Sequence, residues 1–220
     1  MCGGTGDKLV HIIWDWNGTL LDDTAACVAT LNEMLTLRGR EPVTLEFFRE
    51  NFMFPSRVFY SRIGMEVSDD EWDALAKEYY LTYLRQPQAL NVETREVLSA
   101  LRQAGVRQSM LSALRQDLLE QSLVQYGIRD FFTYVYGVDN LDGASKLSRA
   151  YDLRKALASE IEAGGRVVMI GDALHDKEVA DEVGFDCVLC AQGSHSYSRL
   201  AAVAPTGRTL SETVSLLGIG

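Results

Sequence analysis

The stretch Leu9-Val10-His11-Ile12-Ile13-Trp14-Asp15-Trp16-Asn17-Gly18-Thr19-Leu20 decides how the rest of the chain is read. Its first six residues form an apolar run with the length and composition of a buried strand. An acidic residue stands where that strand ends, and a glycine turn follows at once. In open α/β sheets, ligands bind beyond the carboxyl ends of the strands. A carboxylate at such a point can act as a nucleophile, as a metal ligand, or as both.

Beyond this strand the sequence turns helical. Asp22-Asp23-Thr24 offers N-cap chemistry, and Cys27, Leu31, Met34 and Leu35 then recur at helical spacing as far as Arg38-Gly39. Short helices are expected over 44–52 and 55–63. Ser68-Asp69-Asp70-Glu71 has the form of a capping box. Behind it Trp72, Leu75, Ala76, Tyr79, Tyr80 and Tyr83 mark one apolar face, expected to be packing within the insert, and Gln86-Pro87 ends the helix. From Val92 the texture alternates. Helices are expected over 92–104, 116–126, 146–159, 176–183 and 209–217, and strands over 106–111, 133–138, 166–170 and 185–190. Repeated β-α units predict an α/β fold, a parallel sheet with helices on both faces, broken early by an all-helical insert.

Composition narrows the function classes. A chain of 220 residues with 47% hydrophobic content suits one α/β domain with a modest insert. Lys and Arg number 21 against 31 Asp and Glu, a formal charge of −10, and no dense basic run appears, so nucleic acid is not an expected partner. A charged substrate would need local positive charge or a metal to offset this field. No apolar run reaches the roughly 20 residues that span a bilayer, and Met1 to Lys8 lacks a charged-then-apolar signal pattern. No membrane association is expected. The four cysteines, Cys2, Cys27, Cys187 and Cys190, do not look like a disulfide framework, which suits a reducing cytoplasm. Cys187 and Cys190 have C-x-x-C spacing, but on a strand positions i and i+3 face opposite sides, so core packing is their expected role.

Four strand ends carry residues with chemical potential. Asp15 and Asn17 stand at the first. Ser112-Ala113 follows the expected strand 106–111, where a hydroxyl and an adjacent backbone N–H can donate to an anion. Lys146 opens a helix after Asp142-Gly143-Ala144-Ser145, with Lys155 as the reserve candidate. Asp172 and Asp176 follow Val167-Val168-Met169-Ile170-Gly171, and two carboxylates at that spacing can cup one hard cation. Taken singly, each could be a turn, cap or surface residue. Together, in this order, they resemble the haloacid dehalogenase superfamily, whose first motif is Asp-x-Asp-Gly-Thr-Leu and whose closing motif is Gly-Asp-x-x-x-Asp.

The resemblance spans essentially the whole chain and points to the phosphoglycolate phosphatase-like members. It implies a Rossmann-like core over 1–23 and 88–220, and a helical cap over 24–87. It implies that Asp15 attacks phosphorus and forms an aspartyl-phosphate, that Lys146 offsets the gathered negative charge, and that Ser112 and Ala113 hold the phosphoryl group. It implies Mg²⁺, bound by Asp15, Asp172 and the backbone carbonyl of Asn17, with Asp176 holding a metal-bound water. The implied substrate is a small phosphorylated metabolite, handled by a monomer or homodimer. Three departures stand out: Asn17 replaces the acid/base Asp, Ala113 replaces the usual Asn, and Leu147 follows the lysine in place of Pro. An amide exchanges no proton near neutral pH, so Asn17 cannot perform the usual acid/base step.

Two other readings stay open. One is a phosphate- or metal-binding module with weak or no catalysis. The other is a different hydrolase of the same superfamily: a dehalogenase, which needs no metal and against which Asp172 and Asp176 argue, or a phosphonate-cleaving enzyme, for which Lys77 would be the insert's Schiff-base lysine. Smaller expectations concern Arg57, which could meet an anionic substrate group, and His195, expected to order its loop.

Overall fold

A computed structural model describes residues 10–66, 68–139 and 145–219. The opening tail with Cys2, and Asp142 to Ala144 ahead of the lysine, lie outside the described residues. The chain runs through β1 (Val10–Trp14), β2 (Leu21–Asp22), α1 (Thr24–Leu37), α2 (Leu45–Asn51), α3 (Ser56–Arg62), α4 (Asp69–Tyr83) and β3 (Ala89–Leu90). It continues through α5 (Thr94–Gln103), β4 (Arg107–Arg115), α6 (Gln116–Gln125), β5 (Val135–Val138), α7 (Leu147–Ala156) and α8 (Ala158–Glu162). The last part is β6 (Arg166–Gly171), α9 (Leu174–Val183), β7 (Asp186–Cys190), α10 (Tyr197–Ala201), β8 (Thr206–Gly207) and α11 (Leu210–Ser215).

Six strands form one parallel sheet in the order β5-β4-β1-β6-β7-β8. Because strand side chains alternate, β1 feeds both layers. Ile12 and Trp14 pack with α5, α6 and α11 through Leu98, Leu119, Leu123 and Leu210. Ile13 packs on the other face with α7 and α9 through Leu153, Val179 and Ala180. Cys187 belongs to this second layer and Cys190 to the first, so the two sulfurs diverge as the strand periodicity requires. Trp16 joins Trp14 in the first layer, with Tyr126 beside it at 5.9 Å between ring centroids.

The parallel arrangement sends the carboxyl ends of β1, β4 and β6 to one edge of the sheet, and the helical insert sits over that edge. It has its own apolar cluster, including Leu31, Met34, Phe48, Phe59 and Leu75. The capping box at the start of α4 forms, with the Ser68 N–H donating to the Glu71 carboxylate at 3.0 Å. The chain leaves and rejoins the core through the antiparallel pair β2–β3, Leu21 opposite Leu90 and Asp22 opposite Ala89.

Several boundaries differ from the sequence expectation. β4 does not end before Ser112. It shifts register after Leu111 and pairs again at Arg115 with Val138, so Ser112 and Ala113 lie in an irregular strand segment. α9 starts two residues early because the Asp176 carboxylate accepts the Ala173 N–H at 2.9 Å, capping the helix from inside its first turn. The helix expected over 146–159 begins only after Lys146 and breaks into α7 and α8. β2, β3, α10 and β8 were not anticipated, being too short to show a period. Among the described residues, no helix is long and apolar enough to cross a membrane.

Candidate active site

The turn after β1 aims Asp15 into the edge cavity, and its backbone N–H is anchored to the Ile170 carbonyl of β6 at 2.8 Å. Lys146 arrives from the start of α7 and is 2% exposed. Its ammonium donates to Asp15 at 2.5 Å, to the Leu111 carbonyl at 3.2 Å and pairs with Asp176 at 2.7 Å. Asp172 accepts from the Thr19 hydroxyl at 3.3 Å and from the Ser194 N–H at 2.5 Å. This carboxylate is wedged between two glycines. A Cβ on Gly18 or on Gly193 would overlap its oxygens, and Gly18 also has φ +74°, so both positions demand the missing side chain.

Asp15, Asp172 and Asp176 each offer an oxygen within 4.8 Å of the others. Burial pushes the Asp15 carboxyl up to about 7, opposed by the Lys146 ammonium and assisted by the Asp176 charge. Burial and the charges of Asp15 and Asp176 raise Asp172 well above the usual carboxylate range. Burial also opposes ionisation of Asp176, but Lys146 outweighs it and holds this carboxyl below its ordinary value. Burial alone would lower the Lys146 ammonium, and the two carboxylates reverse that into a rise. One cation thus faces three carboxylates. The excess negative charge and the all-oxygen donor set fit a hard divalent cation, whose charge would favour the ionised carboxylates.

Asn17 is held by a residue whose site role the sequence did not reveal. Its amide donates to Asp23 at 2.7 Å and to the Tyr83 hydroxyl at 3.2 Å. Tyr83 in turn donates to the same Asp23 oxygen at 2.5 Å. Asp23 also accepts the Gly18 N–H at 2.7 Å, so it braces the turn after Asp15. The expected N-cap role for this stretch is therefore corrected: Asp23 precedes α1 but makes no side-chain cap bond. Burial raises its carboxyl, while Tyr83 and Asn17 act against the rise. An Asp just before a helix normally reads as a cap, so nothing in the sequence marked it out.

All seven residues singled out at the strand ends, Asp15, Asn17, Ser112, Ala113, Lys146, Asp172 and Asp176, line one cavity of about 230 Å³. Ser112 is buried, and its hydroxyl oxygen accepts the Leu114 N–H at 3.0 Å. The tyrosine stripe is a correction as well, since Tyr79, Tyr80 and Tyr83 line this cavity rather than only the interior of the insert. Phe54 stacks on His175 at 4.9 Å on the same wall. Arg57 is not among the lining residues; it pairs with Asp69 and lies 5.5 Å from the Trp72 ring centroid. Lys77 and Lys155 are exposed and also absent from the lining, which leaves the Schiff-base reading without its lysine.

The insert is fastened over the cavity by polar contacts. Arg49 donates to the carbonyls of Gly193 and Gln192 at 2.9 and 2.7 Å. Arg199 returns bonds to the carbonyls of Arg49 and Phe52 at 2.7 and 3.0 Å. His195 accepts the Leu174 N–H on Nδ1 at 2.9 Å and donates from Nε2 to the Phe52 carbonyl at 2.9 Å. It orders its loop as expected, and it also ties core to insert. Burial, with the Arg199 charge, lowers the imidazole to about 4, so the ring stays neutral.

The profile of the haloacid dehalogenase-like hydrolases matches residues 12–190, and the chain belongs to that family. Two curated relatives show the range of chains it resembles. It is 25% identical over 194 residues to a phosphoglycolate phosphatase of Synechococcus elongatus, covering 88% of this chain and 89% of that one. It is 27% identical over 208 residues to the tyrosine-protein kinase PtkA of Mycobacterium tuberculosis, covering 93% and 69%. Among solved structures, a haloacid dehalogenase-like hydrolase of Streptococcus pneumoniae superposes with a TM-score of 0.75 at 19% identity, covering 95% and 98%, which speaks for the fold.

Proposed function

We propose that this protein is a Mg²⁺-dependent phosphatase of a small phosphorylated metabolite, working through an aspartyl-phosphate on Asp15. One observation carries the reading: Asp15 lies 2.5 Å from the buried Lys146 ammonium and within a carboxylate cluster with Asp172 and Asp176. The similarity to a phosphoglycolate phosphatase supports it. In this reading Asp15 attacks phosphorus in line as the ester P–O bond breaks. Lys146 remains an ammonium and offsets charge on both Asp15 and the phosphoryl oxygens. The Ser112 hydroxyl donates to a phosphoryl oxygen, and the Ala113 N–H adds a second donor, where most phosphoryl-transfer catalysis lies. Asp15, Asp172 and the Asn17 main-chain carbonyl would hold Mg²⁺, with Asp176 in support. When bound, this ion supplies further neutralisation of the transferring group. Water then attacks the aspartyl-phosphate and frees Asp15.

Asn17 sets the pace in this scheme. Its side-chain oxygen can hold a water, the amide hydrogens being given to Asp23 and Tyr83, but it moves no proton, forgoing a step usually worth about 10²–10⁴-fold. A panel of phosphate monoesters, acyl phosphates and phosphonates, assayed with and without Mg²⁺, tests the reading. Turnover of monoesters that needs Mg²⁺ and vanishes in Asp15→Asn is the expected result. Asn17→Asp is expected to keep or increase activity on alkyl esters, and a loss would show that the account of Asn17 is wrong. A second reading, a binding module with weak or no catalysis, is favoured by the commitment of the Asn17 amide to Asp23 and Tyr83. Binding of beryllium fluoride with Mg²⁺, without turnover of any ester, would select it.

A further inference from the structure

We infer that the substrate of this site is an aryl phosphate, a monoester whose leaving group is a phenol. This rests on the phosphatase reading and narrows it. Three separate observations agree. The roof of the cavity is aromatic: Phe48, Phe52, Phe54, Phe59, Tyr79 and Tyr83 line it above the carboxylate cluster. Several of these rings already contact one another, Phe52 with Phe48 at 4.7 Å and with Phe59 at 5.4 Å, and Tyr79 with Tyr83 at 6.1 Å. A flat ring entering this wall gains edge and stacking contacts that an aliphatic chain does not.

The second observation is the placement of positive charge. Among the described lining residues the Lys and Arg side chains are Lys146 and Arg115. Lys146 is engaged by Asp15 and Asp176, and the Arg115 guanidinium is paired with Asp117 at 2.6 and 2.8 Å. His175 is already engaged, its ring stacked on Phe54 at 4.9 Å and its nitrogens 3.3 Å from Glu178 and from the Ser145 hydroxyl. A phosphorylated hydroxy acid brings a second anion among aromatic rings, and its carboxylate would be paired only by drawing the Arg115 guanidinium away from Asp117. A phenyl group asks for no such partner.

The third observation is Asn17. An alkoxide leaving group needs a proton as it departs, and no acid stands at that position. A phenol ionises near pH 10, so its oxygen departs as phenolate without one. The step balances. The Asp15 oxygen forms a bond to phosphorus, the P–O(aryl) bond breaks, and its electron pair leaves on the phenolate. Water then attacks phosphorus, the P–O(Asp15) bond breaks, and the proton that water releases is matched by the one the phenolate takes up from solvent. Water and the ester yield a phenol and inorganic phosphate.

The test compares phenyl phosphate, cyclohexyl phosphate, a phosphorylated hydroxy acid and acetyl phosphate on the full chain with Mg²⁺. We expect kcat/KM for phenyl phosphate to exceed that for cyclohexyl phosphate by about 10²-fold or more, the value of the missing proton donor. Asn17→Asp should narrow this gap by raising the cyclohexyl rate. Phe54→Ala should raise KM for phenyl phosphate roughly tenfold, clearly more than it raises KM for acetyl phosphate, the loss of one ring contact, and Phe54→Leu should fall between. Equal or better turnover of the hydroxy acid ester or the cyclohexyl ester overturns the aryl assignment while the phosphatase reading stands. An equal effect of Phe54→Ala on acetyl phosphate also overturns it, since the ring would then serve folding alone. No turnover of any of the four, acetyl phosphate included, overturns both.

Discussion

The floor and the roof of the cavity are built on opposite terms. On the floor, Asp15, Lys146, Asp172 and Asp176 are almost fully buried ionisable groups, each held by backbone or by a partner of opposite type. The roof is a set of rings on the helices and loops of the insert, among them Phe52, Phe54 and Tyr79, with partial exposure. Floor residues are fixed by strand ends that hydrogen bonds hold on both sides, so their geometry resists small changes. The roof is held by packing and by a few arginine and histidine contacts to carbonyl groups. Under the proposed function the difference separates tasks: the floor carries the phosphoryl transfer, and the roof decides which leaving group fits above it.

The comparison can be broken most severely at the floor. Asp15→Asn should lower turnover by on the order of 10⁴-fold, with the folded state retained by circular dichroism; residual turnover above a hundredth of wild type would remove Asp15 as nucleophile. Lys146→Met comes next. It leaves three buried carboxylates without their cation, and breaking such a network costs about 3–5 kcal/mol. Urea unfolding without divalent ions should show this loss, and added Mg²⁺ should recover part of it.

The joint between floor and roof should give intermediate effects. His195 is neutral in the fold, with its pKa lowered to about 4 from the usual 6.5. The unfolded chain therefore binds more protons within that window, so the contribution is complete above pH 6.5 and is lost as pH falls toward 4. Between about pH 7 and about pH 5 the wild type should lose on the order of 2 kcal/mol more stability than His195→Asn. Equal losses would show that His195 is not the linked group. The smallest effect belongs to the insert's fastening. Arg199→Ala removes two donors from the carbonyls of Arg49 and Phe52, costing about 1 kcal/mol. Amide exchange in α2 should quicken while exchange in β1 and β6 stays unchanged.

Much of the floor was legible before any coordinates. Asp15, Ser112, Lys146 and Asp172 each follow or accompany an apolar run, and parallel β-α units bring such positions to one edge of a sheet. Cys187 and Cys190 diverge because strand side chains alternate, a rule that needs only spacing. The roof was harder to read. Tyr79, Tyr80 and Tyr83 lie on one helical face, and a periodicity cannot say whether that face meets other helices or an open cavity. Asp23 was obscured for a related reason. Local sequence makes it a helix cap, while its bonds run to Gly18, to Asn17 and to Tyr83, which is 60 residues away. The mutual latch of Arg49 and Arg199 joins two surface-like arginines 150 positions apart.

The chain alone determined the fold class, the order of the strands' polar tips and the absence of an acid at position 17, because alternation, helical period and side-chain chemistry are local properties. Tertiary structure decided the rest. It put one ammonium between two carboxylates, bound Asp23 to the turn after β1 in place of a helix cap, and closed a ring-lined roof over the carboxylates and the ammonium. Those outcomes depend on which distant segments share space, and neighbouring residues carry no record of that.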